Sequence, residues 1–162
     1  MARLGAALRS LVYMAGFILL WGWLALQVRP PGAEHLLPPL SRIPGAMLMI
    51  AGGVLVVACI GWFVVAGRGT PAPFDAPRAL VPGGPYRWVR NPMYIGGICV
   101  LAGFGLWNRS LAMAAFAIPA FAAAHVFVIA YEEPTLRARF GAAYAEYVAR
   151  VNRWIPKPPR SA

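Results

Sequence analysis

The sequence predicts an all-α fold, a polytopic membrane bundle of about four transmembrane helices followed by a cytoplasmic amphipathic C-terminal helix. Of its 162 residues, 60% are hydrophobic and 12% are charged, against about 25% charged residues in a soluble domain. So few charges cannot cover a water-facing surface. The apolar residues also fall into separate stretches, at 11–28, 44–67, 93–107 and 111–131. Together these observations exclude an ordinary soluble globule, and we expect residues 1–162 to form a single domain.

The lengths of the four stretches decide which of them can cross a bilayer. A hydrocarbon core of about 30 Å needs roughly 20 apolar residues in a helix. The first, second and fourth stretches meet this requirement, whereas 93–107 needs residues 108–110 or a thinned bilayer. Arg3 and Arg9 precede the first stretch, as in a secretory signal. Its apolar run is longer than a signal's and no small-residue cleavage site follows, so we expect an uncleaved anchor.

The basic residues predict the orientation of the chain. Fifteen Lys and Arg stand against five Asp and Glu, a net charge of +10. Twelve of the fifteen lie in segments 1–10, 68–92 and 132–162. The positive-inside bias therefore places both termini and the central loop in the cytoplasm. The arginine-rich, alanine-rich composition favours a bacterial inner (plasma) membrane. We expect membrane lipids as partners and no nucleic acid, because no basic stripe with interleaved aromatic residues occurs elsewhere.

The loop at 68–92 contains six prolines, which exclude a helix over most of its length. Its second half carries apolar and aromatic residues, among them Leu80, Val81, Tyr86 and Trp88. This composition predicts an ordered wall at the membrane surface. The alternative is an interfacial anchor, with the aromatic rings at headgroup depth.

Two of the five acids are adjacent, in the sequence Glu132-Glu133-Pro134. Carboxylates at a helix C-terminus oppose the helix dipole, and proline disfavours helical geometry at the residue before it, which predicts a break there. Neighbouring helical residues point about 100° apart, so one acid at most faces a given cavity. Pairing with Arg137 or Arg139 is one explanation. A cationic ligand, or an amine that must be deprotonated, is the other.

The segment 135–152 has helical periodicity. One face carries Leu136, Phe140, Tyr144, Tyr147 and Val151. We expect this helix to lie in the plane of the membrane on anionic lipid, and it could equally fold back as a cap over a bound cofactor.

The remaining candidate ligands give no metal site. Cys59 and Cys99 lie inside apolar stretches, and no Cys/His pair has metal-ligand spacing, so we expect no metal. His125 lies within the fourth stretch, where a proton relay and a packing role are both open.

Several of these segments together resemble a known superfamily. They are Gly84-Pro85-Tyr86, Val89-Arg90-Asn91-Pro92-Met93-Tyr94 and Tyr131-Glu132-Glu133, followed by Leu136, Phe140-Gly141, Tyr144, Tyr147 and Val151. In this order they resemble the integral-membrane methyltransferases of the isoprenylcysteine carboxyl methyltransferase and phospholipid methyltransferase superfamily. The resemblance extends over 78–156, about half of the chain.

The resemblance implies a methyltransferase that binds S-adenosyl-L-methionine. It implies a cofactor site made of Arg78, Ala79, Leu80, Val81, Tyr86, Asn91, Pro92, Met93, Tyr94 and Glu132. The acceptor would be lipid-borne or small and hydrophobic, with Glu133 as the catalytic base for an amine. An amine or thiol is favoured over a carboxylate, because Val128 stands where isoprenylcysteine enzymes have an arginine. Asn91 also departs from the histidine of many members. A non-enzymatic scaffold or assembly protein that retains the fold is the alternative.

The glycines of the third stretch allow two interpretations. Gly96, Gly97, Gly103 and Gly105 could leave space for an acceptor to enter between the third and fourth spans. Alternatively, they serve as ordinary helix-packing contacts.

Overall fold

Helices make up most of the chain that the computed structural model describes, which is residues 2–28, 37–65 and 80–158. The α-helices are α1 (Ala2–Gln27), α2 (Arg42–Val65), α3 (Pro92–Trp107), α4 (Leu111–Ala115), α5 (Ala117–Phe127) and α6 (Glu133–Arg150). Two 3-10 turns, Pro39–Ser41 and Gly84–Arg87, and one π turn, Val128–Glu132, complete the set. These described ranges contain no strand, so the predicted all-α fold is confirmed.

The turn between α3 and α4 follows from local sequence. Arg109 has a positive φ of 57°, which reverses the chain after α3. The Ser110 hydroxyl then accepts a hydrogen bond from the Met113 N–H at 3.3 Å and caps α4. The fourth apolar stretch is divided at Phe116, between α4 and α5. Pro119 accounts for this division, because it has no N–H to donate to the carbonyl four residues earlier.

Helices α2 and α3 form the main packing contact, and paired glycines allow it. Gly45 lies opposite Gly103, and Gly52 lies opposite Gly96. A Cβ on Gly103 would lie 2.6 Å from the Gly45 carbonyl oxygen, and a Cβ on Gly96 would lie 2.7 Å from that of Gly52. Gly105 packs against the backbone of Ala114 in α4. The packing interpretation of the glycines therefore holds at positions 96, 103 and 105.

The outer surface of the bundle is apolar. Leu19, Val57 and Ile118 expose 71%, 68% and 71% of their surface. Two helical segments, Pro39–Phe63 and Leu111–Arg150, are long and apolar enough to cross a membrane, while Ala15–Gln27 and Pro92–Trp107 are shorter apolar helices. Soluble monomers rarely expose such extensive apolar surface. The arrangement is that of a helical membrane bundle.

The predicted break at Glu133 takes another form. Pro134 lies in the first turn of α6, and the chain continues from α5 into α6 through the π turn. The Glu133 N–H bonds to the Val128 carbonyl five residues earlier. This wider turn accommodates the proline ring, so Glu133 keeps helical angles of −63° and −43°.

Gly141 interrupts α6, where the sequence predicted a continuous helix over 135–152. Its φ and ψ are 50° and −122°, a conformation that only glycine adopts without strain. The predicted apolar face nevertheless forms one cluster. Tyr144, Tyr147 and Val151 are buried, and Leu136 and Phe140 pack against them.

Candidate functional site

The chain after α6 turns back along the loop that precedes α3. We call residues 151–158 the C-terminal strap and residues 80–91 the site loop. The Arg90 N–H donates to the Asn152 carbonyl at 2.9 Å, and the Lys157 N–H donates to the Trp88 carbonyl at 2.8 Å. These bonds connect the strap to the site loop at the end of the bundle where α3 begins and α5 ends.

The site loop is fixed to α2 through its glycines and Tyr86. Gly83 and Gly84 lie against the Trp62 ring so closely that no Cβ would fit at either position. The Tyr86 ring meets Phe63 edge-on, with ring centroids 5.4 Å apart. This half of the central loop is therefore the ordered wall that its composition predicts.

The helical cap α6 closes over the other side of the loop. The Tyr147 hydroxyl donates to the Tyr86 carbonyl at 2.7 Å, and Leu80 packs against the cluster around Tyr144 and Tyr147. Of the two interpretations of this helix, folding back onto the loop describes the contacts that it makes.

The start of α3 contributes Asn91, Pro92, Met93 and Tyr94. Asn91 is 6% exposed, and its side-chain N–H donates to the Arg153 carbonyl at 3.1 Å. Pro92 is fully buried at the first position of the helix, and Met93 is half-buried. The Tyr94 hydroxyl donates to Glu132 Oε2 at 3.0 Å.

Glu132 and Glu133 have different partners although they are neighbours. The apolar part of the helix ends at Tyr131, so both carboxylates lie at the site end of the bundle. Burial raises the pKa of Glu132, against the opposing effect of its hydrogen bond from Tyr94. Glu133 accepts two hydrogen bonds from the Arg153 guanidinium, at 2.6 and 2.9 Å. These bonds hold the pKa of Glu133 below its usual range.

A small cavity of about 30 Å³ lies between these elements. It is lined by Arg90, Asn91, Val128, Glu132, Glu133, Leu136, Tyr144 and Tyr147. Ligand pockets usually have about 300–1,000 Å³, so a cofactor of nucleotide size needs a displacement of the strap or of α6.

Three of the predicted site residues line this cavity, and a fourth contacts one of the three. Asn91, Glu132 and Glu133 line it, and Tyr94 bonds to Glu132. Leu80, Val81 and Tyr86 lie in the site loop and do not line the cavity; Leu80 packs against the cluster around Tyr144 and Tyr147, and Val81 is buried. Arg78 and Ala79 lie outside the described residues.

Sequence reasoning missed the residues of the strap. Trp154 donates from Nε1 to His125 Nδ1 at 2.8 Å, which gives the intramembrane histidine a partner. Its ring also meets Phe121 edge-on at 4.9 Å and Tyr94 at 6.3 Å. The only signal was the continuation of aromatic and basic residues past the end of the helical periodicity, at Arg153 and Trp154.

The site is therefore a mixed polar and aromatic cavity at one end of an apolar helical bundle, closed by a loop and a returning C-terminal segment. A sequence model of the phospholipid methyltransferase family matches residues 40–143, more than half of the chain. The chain belongs to this family. Membership implies a membrane methyltransferase, and membrane association agrees with the exposed apolar helices.

One curated relative is similar over a shorter region. The cobalt-zinc-cadmium resistance protein CzcN of Cupriavidus metallidurans is 35% identical over 78 residues, which is 48% of this chain and 36% of the relative. The chain thus matches about a third of that protein's length. Among residues 2–28, 37–65 and 80–158 there is no group of three or more His, Cys, Asp or Glu side chains placed to hold a metal ion.

Proposed function

We propose that the protein uses S-adenosyl-L-methionine to methylate a lipid-borne or small hydrophobic acceptor, an amine or thiol in preference to a carboxylate. The observation that carries the proposal is the 3.0 Å hydrogen bond from the Tyr94 hydroxyl to Glu132, beside Asn91 at one cavity. This contact joins the motif at the start of α3 to the acid pair after α5, although 38 residues separate them.

The side chains at the cavity fit the proposed cofactor chemically. The cofactor has a sulfonium, an ammonium group, ribose hydroxyls and a flat adenine, and when bound it supplies an activated methyl group. Glu132 offers a carboxylate to a cation or to hydroxyls, Tyr94 and Asn91 offer hydrogen bonds, and the aromatic cluster of α6 offers apolar contact. The proposed set comprises residues 78–81, Tyr86, residues 91–94 and Glu132.

The residues of the chain contribute mainly alignment and exclusion of water. Holding two reactants in line can supply roughly 7–11 kcal/mol of the barrier in favourable cases. The strap and the site loop, connected by the Arg90–Asn152 and Lys157–Trp88 bonds, form the cover that excludes water. We place this cover at the cytoplasmic face of a bacterial inner membrane, with both termini on that side.

Glu133 remains our proposed base for an amine acceptor. While Arg153 holds it, the lowered pKa of Glu133 makes it a weak base. The strap must therefore release Arg153 before Glu133 accepts a proton. A thiol acceptor depends less on such a base.

Calorimetry of purified protein in detergent tests the cofactor assignment. Glu132→Ala should abolish S-adenosyl-L-methionine binding, because it removes the carboxylate that we assign to the cofactor. Glu146→Ala is the matched control, since Glu146 is exposed and lies outside the cavity. Wild-type affinity in Glu132→Ala would overturn the proposal.

Photocrosslinking separates the enzyme from the scaffold alternative. A methyltransferase incorporates labelled S-adenosyl-L-methionine, and excess unlabelled cofactor competes with the label. A scaffold that only retains the fold incorporates none. Mass spectrometry of lipid extracts and small metabolites, from cells with and without the expressed gene, then identifies the acceptor.

A further inference from the structure

Arg90 has an unusual environment for an arginine. Its side chain is 9% exposed and lines the cavity. Its Nε and Nη1 atoms are buried and donate no hydrogen bond to any residue that the structure describes. Nη1 lies 3.1 Å from Glu133 Oε1, close enough for an ion pair but without hydrogen-bond geometry.

The pairing of Glu133 does not explain this burial. Arg153 already donates one hydrogen bond to each oxygen of the Glu133 carboxylate, from Nε at 2.6 Å and from Nη2 at 2.9 Å, and the Arg90 Nε donates to neither oxygen. Arg90 is therefore a second guanidinium beside one carboxylate. Buried guanidinium donors without acceptors are costly, and the cost is recovered when an anion supplies the acceptors.

We propose that Arg90 binds the carboxylate at the amino-acid end of S-adenosyl-L-methionine. This inference rests on the proposed function and adds a cofactor contact to it. The amino-acid end carries an ammonium and a carboxylate on one carbon. The cavity has an acid, Glu132, among its lining residues, together with Arg90, whose buried Nε donates no hydrogen bond within the part of the chain that the structure describes. A charge-assisted hydrogen bond from the Arg90 Nε to this carboxylate would give that donor an acceptor.

A lipid phosphate is the other oxyanion that could occupy this position. We assign Arg90 to the cofactor carboxylate, because Glu132, which lines the same cavity, can bind the ammonium of the same amino-acid end. An experiment distinguishes the cofactor carboxylate from a lipid phosphate, because the affinity for the cofactor depends on Arg90 only if Arg90 binds the cofactor carboxylate.

The test compares two ligands by calorimetry in detergent: S-adenosyl-L-methionine and its decarboxylated form, which keeps the sulfonium and the amine. The wild-type protein should bind the decarboxylated form about ten- to a hundred-fold more weakly, the effect of one charge-assisted hydrogen-bonded pair. Arg90→Gln should bind both ligands with nearly equal affinity. Arg90→Lys, which keeps the charge but loses the Nε donor, should give an intermediate ratio. Arg150→Gln is the matched control, because Arg150 is exposed and its Nε bonds only within α6.

The outcomes distinguish this inference from the proposed function. Equal affinity of the wild-type protein for both ligands overturns the role of Arg90 and leaves the cofactor assignment standing, even if the glutamine variant does not fold. A wild-type ratio retained in Arg90→Gln, together with lost methylation in phospholipid vesicles, assigns Arg90 to the acceptor phosphate and also overturns it. Binding of neither ligand to the wild-type protein overturns the proposed function itself.

Discussion

The close approach of α2 and α3 predicts opposite effects of alanine at two adjacent glycines. Gly52 faces α3, where a Cβ would lie 2.9 Å from Cys99 Cβ, 3.0 Å from the Val100 nitrogen and closer still to the Gly96 carbonyl oxygen. Gly53 has nothing within 4 Å of its Cβ position. Both residues lie in the interior of α2, so the change from glycine to alanine has the same effect on helix propensity at the two positions.

The magnitude follows from these contacts. Two of the three atoms that Gly52→Ala would meet are backbone atoms, so α3 itself must shift, and overpacking of this kind costs about 1–3 kcal/mol. The higher helix propensity of alanine stabilises the helix by up to about 1 kcal/mol relative to glycine. Gly52→Ala should therefore lose about 1–2 kcal/mol, whereas Gly53→Ala should gain up to about 1 kcal/mol.

Thermal unfolding in detergent, followed by circular dichroism, measures both variants. For a chain of this size, 1 kcal/mol changes Tm by about 2–4 °C, so Gly52→Ala should melt below and Gly53→Ala above the wild type. Because Tyr94 lies two residues before Gly96 on α3, Gly52→Ala should also weaken cofactor binding. Equal changes of Tm in the two variants would refute the packing argument.

Three further predictions concern the strap and α6. Because the pKa of Glu133 is lowered in the folded state, its pairing with Arg153 stabilises the protein above the ordinary carboxyl pKa of 4.5, and this stabilisation is lost as the pH falls below 4.5. Glu133→Gln should therefore flatten the acidic part of the curve of Tm against pH. An unchanged curve would contradict the pairing. Trp154→Phe keeps a ring but removes the donor to His125, so stability should fall by about 0.5–1.5 kcal/mol in chemical unfolding; no loss would show that the bond contributes nothing. Gly141→Ala should destabilise by about 1–3 kcal/mol, despite open space at its Cβ, because φ is 50°; a wild-type Tm would mean that the kink is dispensable.

The helical architecture could be predicted because it depends on composition and spacing. Continuous apolar runs require helices in a membrane, and the observed helices follow those runs. The division at Phe116 depends on one proline within an apolar run, Pro119, whose effect a hydropathy pattern does not register. The kink at Gly141 could not be predicted from the apolar pattern either, because both halves of α6 contribute apolar residues to one cluster. A pattern that predicts a common face does not distinguish one straight helix from two segments that converge.

The site was predictable as far as its residues lie in short motifs. Asn91 and Glu132 were expected to share a site, and they line one cavity. Arg153 and Trp154 were not expected, because their positions depend on how the chain leaves α6. The Arg90–Asn152 and Lys157–Trp88 backbone hydrogen bonds set that path. Backbone hydrogen bonds do not require particular side chains, so they cannot be predicted from residue types.

The acid pair shows why neighbours in sequence can have different chemistry. Glu132 and Glu133 both line the cavity, so the expectation that at most one of them faces it is wrong. Each nevertheless meets partners from a different part of the chain: Tyr94 from the start of α3, and Arg153 from the strap. A tyrosine hydroxyl leaves the Glu132 carboxylate able to bind a cation, whereas a bidentate guanidinium occupies both oxygens of Glu133. Since Arg153 also accepts the Asn91 hydrogen bond through its carbonyl, release of the Glu133 pair and movement of Asn91 are coupled through one residue. Under the proposed function, opening the cavity to S-adenosyl-L-methionine and freeing Glu133 as a base are therefore expected to be the same movement of the strap.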